Sequence, residues 1–422
     1  MSEAKERLKW LLSSDLSFAN YGRSLGIHSL HAYAARFPSP LPRHFIEGLS
    51  RPGAVVLDPM AGSGATSVEA WLLSRTALSI DFDPLSARLC KAKTTWIEPE
   101  LIRASAERIL SQALLHLRMA DPLSEFRNRT DSTSIDFINY WFTEEVQREL
   151  ASIVLAIGGE QDSQVRTFLE VVFSSIIVTK SGGVSLARDL AHSRPHKVSD
   201  KKPSSPLRKF ELSVQKAAQA LEELRYVPVG ASCTVRGDVR HLGIPDESID
   251  LIVTSPPYAN ALDYMRAHKF SLVWLQMDIP ELSRLRSEYI GSERQSKNAV
   301  AKFPEVVQAI ISSLESIDRQ KSLVLQKYFG DMHRAIGEMY RVLRHGAATI
   351  LVVGTSTMHG LPVETHTCLA HIAAQIGFDV VDVVGRPLDR NKRMMPMRRQ
   401  NQGFSIIEQR MTEEFVIGLV KT

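Results

Sequence analysis

The chain has 422 residues, 44% hydrophobic and 23% charged, enough to bury one large core or two modest ones and too apolar for a disordered tail. Its 51 Lys and Arg stand against 47 Asp and Glu, a net charge of +4, so the total alone does not announce a nucleic-acid binder. Three cysteines, Cys90, Cys233 and Cys368, lie far apart without ligand spacing, which argues against a disulfide framework and a zinc site and predicts no metal. The opening MSEAKERLKW carries charges where a signal peptide needs an apolar core, and no run approaches the roughly 18 apolar residues of a membrane span. A cytoplasmic protein with no membrane association is expected.

In chain order, AVVL at 54–57 and ALSI at 77–80 are short apolar runs ending in Asp58 and Asp81, with a glycine-rich turn and a helix-like stretch through Val68, Ala70, Trp71 and Leu72 between them. From about 100 to 225 the pattern turns helical, as in LIRASAERILSQALLHL and RTFLEVVFSSIIV, which predicts a helical insertion. Within it, Tyr140, Trp141 and Phe142 read as helix core. Strand character returns at 233–237, 249–253, 347–353, 378–384 and 415–420 with helices between, and a polar helical interruption falls at about 276–330. Alternating strands and helices through a long chain predict a parallel or mixed sheet covered by helices.

Two local patterns carry chemistry. In VVLDPMAGSGATSVEA, Asp58 ends a strand and is followed by Gly62, Gly64 and a helix start bearing Thr66. Glycines permit a tight turn and close ligand approach, and the helix offers unpaired N–H groups. Neither G-x-G-x-x-G nor a terminal G-K-[ST] is present, so both phosphate-binding motifs fail. Asp81, at the end of the next strand, has the position of an acid that accepts bonds from both hydroxyls of a ribose; the alternative is that it only caps the following helix.

The second pattern is the strand 249–253 running into Thr254, Ser255, Pro256, Pro257 and Tyr258. Two prolines stop the ladder and leave carbonyl oxygens unpaired. A rigid carbonyl plus a side-chain acceptor can hold a planar exocyclic amino group, and Tyr258 offers a flat ring on which an extruded base can stack.

These residues resemble the S-adenosylmethionine-dependent amino-methyltransferases of DNA, the cytosine-N4 and adenine-N6 family, whose tetrapeptide (D/N/S)PP(Y/F) is matched by SPPY. DPMAGSGAT looks like the family's cofactor loop and LHAYAARFPSPL at 30–41 like the segment before it. The resemblance implies a Rossmann-like methyltransferase core, a mostly parallel seven-stranded sheet with helices on both faces, carrying a large helical insertion. It implies that Asp58, Ala61, Gly62, Gly64 and Thr66 cradle S-adenosylmethionine, that Asp81 binds its ribose, that Asp238 meets its adenine amino group, and that Phe37 and Pro38 close over it. Ser255, Pro256, Pro257 and Tyr258 would hold the target base for direct methyl transfer, and no Pro-Cys nucleophile of the carbon-5 kind is present. Serine in the first position favours N4 of cytosine over N6 of adenine within the family. RNA as the substrate, and a nucleic-acid binder without catalysis, are the other readings.

The expected organisation is a first part of the core at 25–96, the insertion at 97–231, the catalytic part at 232–275, a second helical insertion at 276–330 and the remainder of the core at 331–422. Target recognition is expected in the insertions, since Asp238 is close to Ser255 and little follows the last strand. Residues 186–210 and 386–399 each carry a net +5, so the positive charge sits in two blocks suited to phosphate contacts. Arg194, Lys197, Lys201, Lys202, Arg390, Lys392 and Arg393 are the candidate contacts to double-stranded DNA from which one base is flipped out. A companion restriction endonuclease would fit the family.

Overall fold

The computed structural model describes residues 3–18, 22, 24–34, 37–179, 182–188, 190, 195–259, 263–292, 302–388 and 413–422. Seven strands form one sheet: β1 (Val55–Asp58), β2 (Thr76–Asp81), β3 (Ser232–Arg236), β4 (Ile249–Thr254), β5 (Leu343–Gly354), β6 (Phe378–Pro387) and β7 (Glu413–Lys421). Their order across the sheet is β6-β7-β5-β4-β1-β2-β3. β7 runs antiparallel to both neighbours, β5 and β6, while β4, β1, β2 and β3 pair in parallel with β5 at one end. Every strand expected from the sequence is present. The Rossmann-like class is therefore the observed one, a mostly parallel sheet with a single reversed strand.

Alternation along the strands sends side chains into two cores. Val56, Leu251, Val253, Ile350, Val352 and Val416 are buried on one face, and Leu57, Ile252, Leu351, Val353 and Ile417 on the other. The first face is covered by α1 (Glu3–Leu12), α2 (Pro40–Leu49), α3 (Ala65–Leu72) and α4 (Pro84–Lys93). The inserted helices follow: α5 (Pro99–Met119), α6 (Pro122–Arg127), α7 (Ser132–Trp141), α8 (Glu144–Gly158), α9 (Ser163–Ile177) and α10 (Pro206–Glu222). They pack on one another and join the core through α9 against α4. After β4 come α11 (Met265–Leu272), α12 (Ile279–Glu288), α13 (Glu305–Glu315), α14 (Arg319–Val342) and, after β5, α15 (Thr365–Ile376).

The boundary expected at 330 falls inside α14. That helix carries an unbroken buried stripe, Leu325, Tyr328, Phe329, Met332, Ile336 and Met339, so it is one element packed on the second face. The aromatic run also differs from expectation. Phe142 is buried, but Tyr140 is 54% exposed, because the helical period turns it outward from the face that buries Ile138. No helix among the described residues is long and apolar enough to cross a membrane.

Candidate active site

Strand order reverses between β1 and β4, and in open α/β sheets ligands bind at such a point, outside the carboxyl ends of the strands. A cleft opens there. Its free space, open mouth included, is about 1170 Å³. Phe37, Asp58, Ala61, Gly62, Asp81, Asp238, Ser255, Pro256, Pro257 and Tyr258 all line it. Residues as far apart in sequence as Asp58 and Tyr258 thus meet because four parallel strands end side by side.

The glycine loop is shaped by its neighbours. Gly62 has φ +50° and Gly64 φ +78°, and a Cβ at Gly64 would lie 3.2 Å from the Cys90 sulfur. The buried Lys93 ammonium donates to the Ser63 carbonyl at 2.7 Å, fixing the loop from beneath. Gly64 starts α3, and Thr66 is buried in its first turn. Both stand behind the cleft rather than on its lining, as does Pro38, whose carbonyl accepts from Leu41 at the start of α2.

Burial raises the Asp58 carboxyl to about 6 against the pull of the Thr254 and Thr66 hydroxyls and the Met60 amide. Burial, with the nearby charge of Asp83, raises Asp81 to about 7. Asp81 accepts from the Gly62 amide at 2.7 Å and from the Asp83 amide at 2.8 Å. It does not cap the next helix. Asp83 does, accepting from Leu85 and Ser86, and its other oxygen binds His268 at 2.9 Å and the Tyr289 hydroxyl at 2.6 Å. Burial opposes ionisation of Asp83, yet these partners hold it down at about 2. Asp83 was legible in principle, as an Asp-Pro pair at a helix start.

Asp238 lies in the cleft with its carboxylate gripped by the Arg240 guanidinium, Nε at 2.9 and 3.0 Å and Nη2 at 2.6 Å. Arg240 reaches on to Asp331 at 3.1 Å and to the Glu288 carbonyl at 2.9 Å. Burial works against ionisation of Asp238, but Arg240 outweighs it and the carboxyl sits below its ordinary value. Tyr33 and Tyr264 stack with centroids 5.2 Å apart and form another wall.

The tetrapeptide is braced at three points. The Ser255 hydroxyl donates to the Val352 carbonyl at 3.0 Å, which commits its proton and leaves its lone pairs as acceptors. The Pro257 carbonyl is taken by the Tyr328 hydroxyl at 2.9 Å. Pro256, without such a partner among the described residues, keeps the free carbonyl. Tyr258 donates to Glu414 at 2.9 Å.

The candidate DNA contacts fare differently. Lys201 donates to the Ser185 and Ala187 carbonyls at 2.6 and 2.9 Å, and partial burial lowers its pKa; it ties down a loop and does not present a free charge. Lys197 is exposed, its ammonium 4.3 Å over the Tyr140 ring, and Lys202 is exposed. Arg194, Arg390, Lys392 and Arg393 lie outside the described residues. Arg386, first of the second basic block, is buried against Glu414 and so contributes no surface charge.

The chemistry of the cleft fits S-adenosylmethionine: a carboxylate for a diol, a glycine turn for close approach, aromatic walls and an acceptor set beyond. The sequence matches the family model described as DNA methylase over residues 3–91, the stretch from α1 to α4 that includes the glycine loop, Asp81 and Asp83. It is similar to the type II methyltransferase M.MvaI of Kocuria varians, 24% identical over 384 residues covering 85% of this chain and 83% of that one. It is also similar to the type II methyltransferase M.BsoBI of Geobacillus stearothermophilus, 21% identical over 428 residues covering 86% and 80%. The type II methyltransferase M.AvaI of Anabaena variabilis is 26% identical over 35% of this chain and 34% of its own.

Proposed function

We propose that this chain is a DNA methylase of the N6/N4 kind, on the match of residues 3–91 to that family model and the similarity to type II methyltransferases, and that it methylates the N4 amino nitrogen of cytosine in double-stranded DNA, on a base turned out of the helix. The observation that carries the reading is the meeting of the glycine loop, Asp81 and SPPY in one cleft. S-adenosylmethionine, when bound, would supply a sulfonium-activated methyl group for direct transfer to the amino nitrogen, the electron pair of the broken carbon–sulfur bond staying on the sulfur and the nitrogen's proton passing to solvent. Gly62, Asp81 and Asp58 would hold that cofactor, with Phe37 against it. Asp238 would meet its adenine amino group, sharing its carboxylate with Arg240.

At the target, the Pro256 carbonyl and the Ser255 oxygen accept the two amino hydrogens, which favours the pyramidal nitrogen with an available lone pair. Tyr258 stacks on the base. Ser255 in the first position supports cytosine, and Lys197 and Lys202 support phosphate contact from the insertion at 97–231. The type II relatives support a place in a restriction-modification system with a companion endonuclease.

The test is a product assay on unmethylated amplified DNA and on RNA with labelled S-adenosylmethionine, digested to nucleosides. N4-methylcytosine from DNA is the expected product; N6-methyladenine, or label in RNA alone, replaces the substrate. Tyr258→Ala and Pro256→Ala should abolish transfer while cofactor binding by calorimetry persists. Undiminished turnover in both removes SPPY from the reaction.

A further inference from the structure

We infer that Glu414 and Arg386 are positioning residues for the target base, acting through the hydroxyl of Tyr258; this rests on the methyl-transfer reading above. Glu414 stands on β7 directly opposite Arg386 on β6 and Gly354 on β5. It therefore reaches the tetrapeptide from the sheet's one reversed strand. Its Oε1 accepts from Tyr258 at 2.9 Å, and Arg386 Nη1 lies 3.5 Å from its Oε2.

The pair is costly where it stands. Arg386 is 3% exposed, and burying a guanidinium and a carboxylate together is often no better for stability than a well-packed apolar pair. Nor is the pairing optimised for strength: Arg386 Nε and Nη1 and Glu414 Oε2 are buried without a hydrogen-bond partner among the described residues. A bidentate fork would satisfy more of these atoms. What the arrangement does provide is a single well-aimed acceptor for Tyr258. Burial pushes the Glu414 carboxyl above its ordinary range, with the Arg386 charge and the Tyr258 hydroxyl pulling against it.

The consequence is a fixed ring plane. A tyrosine ring turns about two bonds; Tyr258 packs against the second core, and the hydrogen bond at its far end further limits the tilt. With Pro257 tied by Tyr328 and Ser255 by Val352, the hydroxyl of Tyr258 is the remaining degree of freedom of the clamp. Stacking against an extruded base and in-line alignment of its amino group both depend on that plane.

The experiment measures kcat, KM for amplified unmethylated DNA, and cofactor affinity in the full chain. Tyr258→Phe keeps the ring and removes the bond; the paired replacement Arg386→Leu with Glu414→Leu removes the anchor without leaving a lone buried charge. Each should lower kcat about five-fold with cofactor affinity unchanged, and the triple variant should be no worse than either, since both delete one interaction. Arg386→Gln with Glu414→Gln, which retains an acceptor for the hydroxyl and leaves no lone buried charge, should keep kcat within about twofold of wild type. Additive losses, a parallel loss of cofactor affinity, or variants with unchanged kcat would overturn the inference alone. No product from the wild-type chain would overturn the methyl-transfer reading, and the inference with it. If the leucine pair fails to fold, Arg386→Met with Glu414→Met, closer to the native pair in length, takes its place: a loss that multiplies with that of Tyr258→Phe overturns the inference, and a combined loss equal to that of Tyr258→Phe alone supports it.

Discussion

The carboxylate of Asp81 accepts a hydrogen bond from the amide of Gly62 at 2.7 Å, so the acid that ends β2 and the loop that leaves β1 form one unit. A carboxyl raised to about 7 is half protonated near neutrality, and a ribose diol needs its ionised form. Affinity for S-adenosylmethionine should therefore rise with pH through that value, about tenfold weaker near pH 6 than near pH 8 for one linked proton. The unliganded protein should move the other way. A folded-state value above the ordinary 3.8 means stability present at low pH and lost as pH climbs through the folded value. Calorimetric titration of wild type and Asp81→Asn checks both, the variant losing affinity and most of the slope.

Gly64 occupies a left-handed conformation, and its neighbour Cys90 leaves little space for a Cβ. Gly64→Ala should cost about 1–3 kcal/mol of stability, read as a lower urea midpoint with the slope unchanged. Because Gly64 begins α3 beside the cleft, cofactor affinity should fall as well.

Tyr328 donates to the Pro257 carbonyl from α14. Tyr328→Phe leaves that carbonyl unpaired and lets the Pro-Pro segment shift. A fall in kcat of about three-fold to ten-fold is expected with cofactor affinity intact, on the scale of one lost neutral hydrogen bond. Steady-state kinetics beside calorimetry separate the two quantities.

Lys201 and Lys202 are adjacent but should behave oppositely. Lys202→Ala should weaken DNA binding and reduce the magnitude of the slope of log K against log salt by about one. Lys201→Ala removes two carbonyl contacts, so it should lower thermal stability and leave the slope as it was. Fluorescence anisotropy across a salt series, with thermal melts alongside, makes the comparison.

Much of the sheet was legible because β1, β2, β5 and β6 hold apolar runs ended by Asp, Gly or Pro, and those signals are local. The lining of the cleft was legible for the same reason: Gly62, Asp81 and Ser255 to Tyr258 each belong to a short contiguous pattern. What holds that lining in place left no such trace. Glu414 is 156 positions from Tyr258, and Tyr328 is 71 from Pro257; each looks like an ordinary strand or helix residue until the fold brings it round. Lys201 shows the converse, a residue that reads as free charge but whose ammonium is spent on two carbonyls.

The reversed strand has a consequence for how the molecule is made. β7 is last of the seven strands in chain order yet sits between β5 and β6. Chains emerge from the ribosome N-terminus first, at about 5–20 residues per second. The glycine loop, Asp81 and SPPY are thus all synthesised well before the sheet can close and before Tyr258 meets its acceptor. A nascent chain would carry the pieces of the clamp without its final brace, and competence would arrive with the insertion of one late strand.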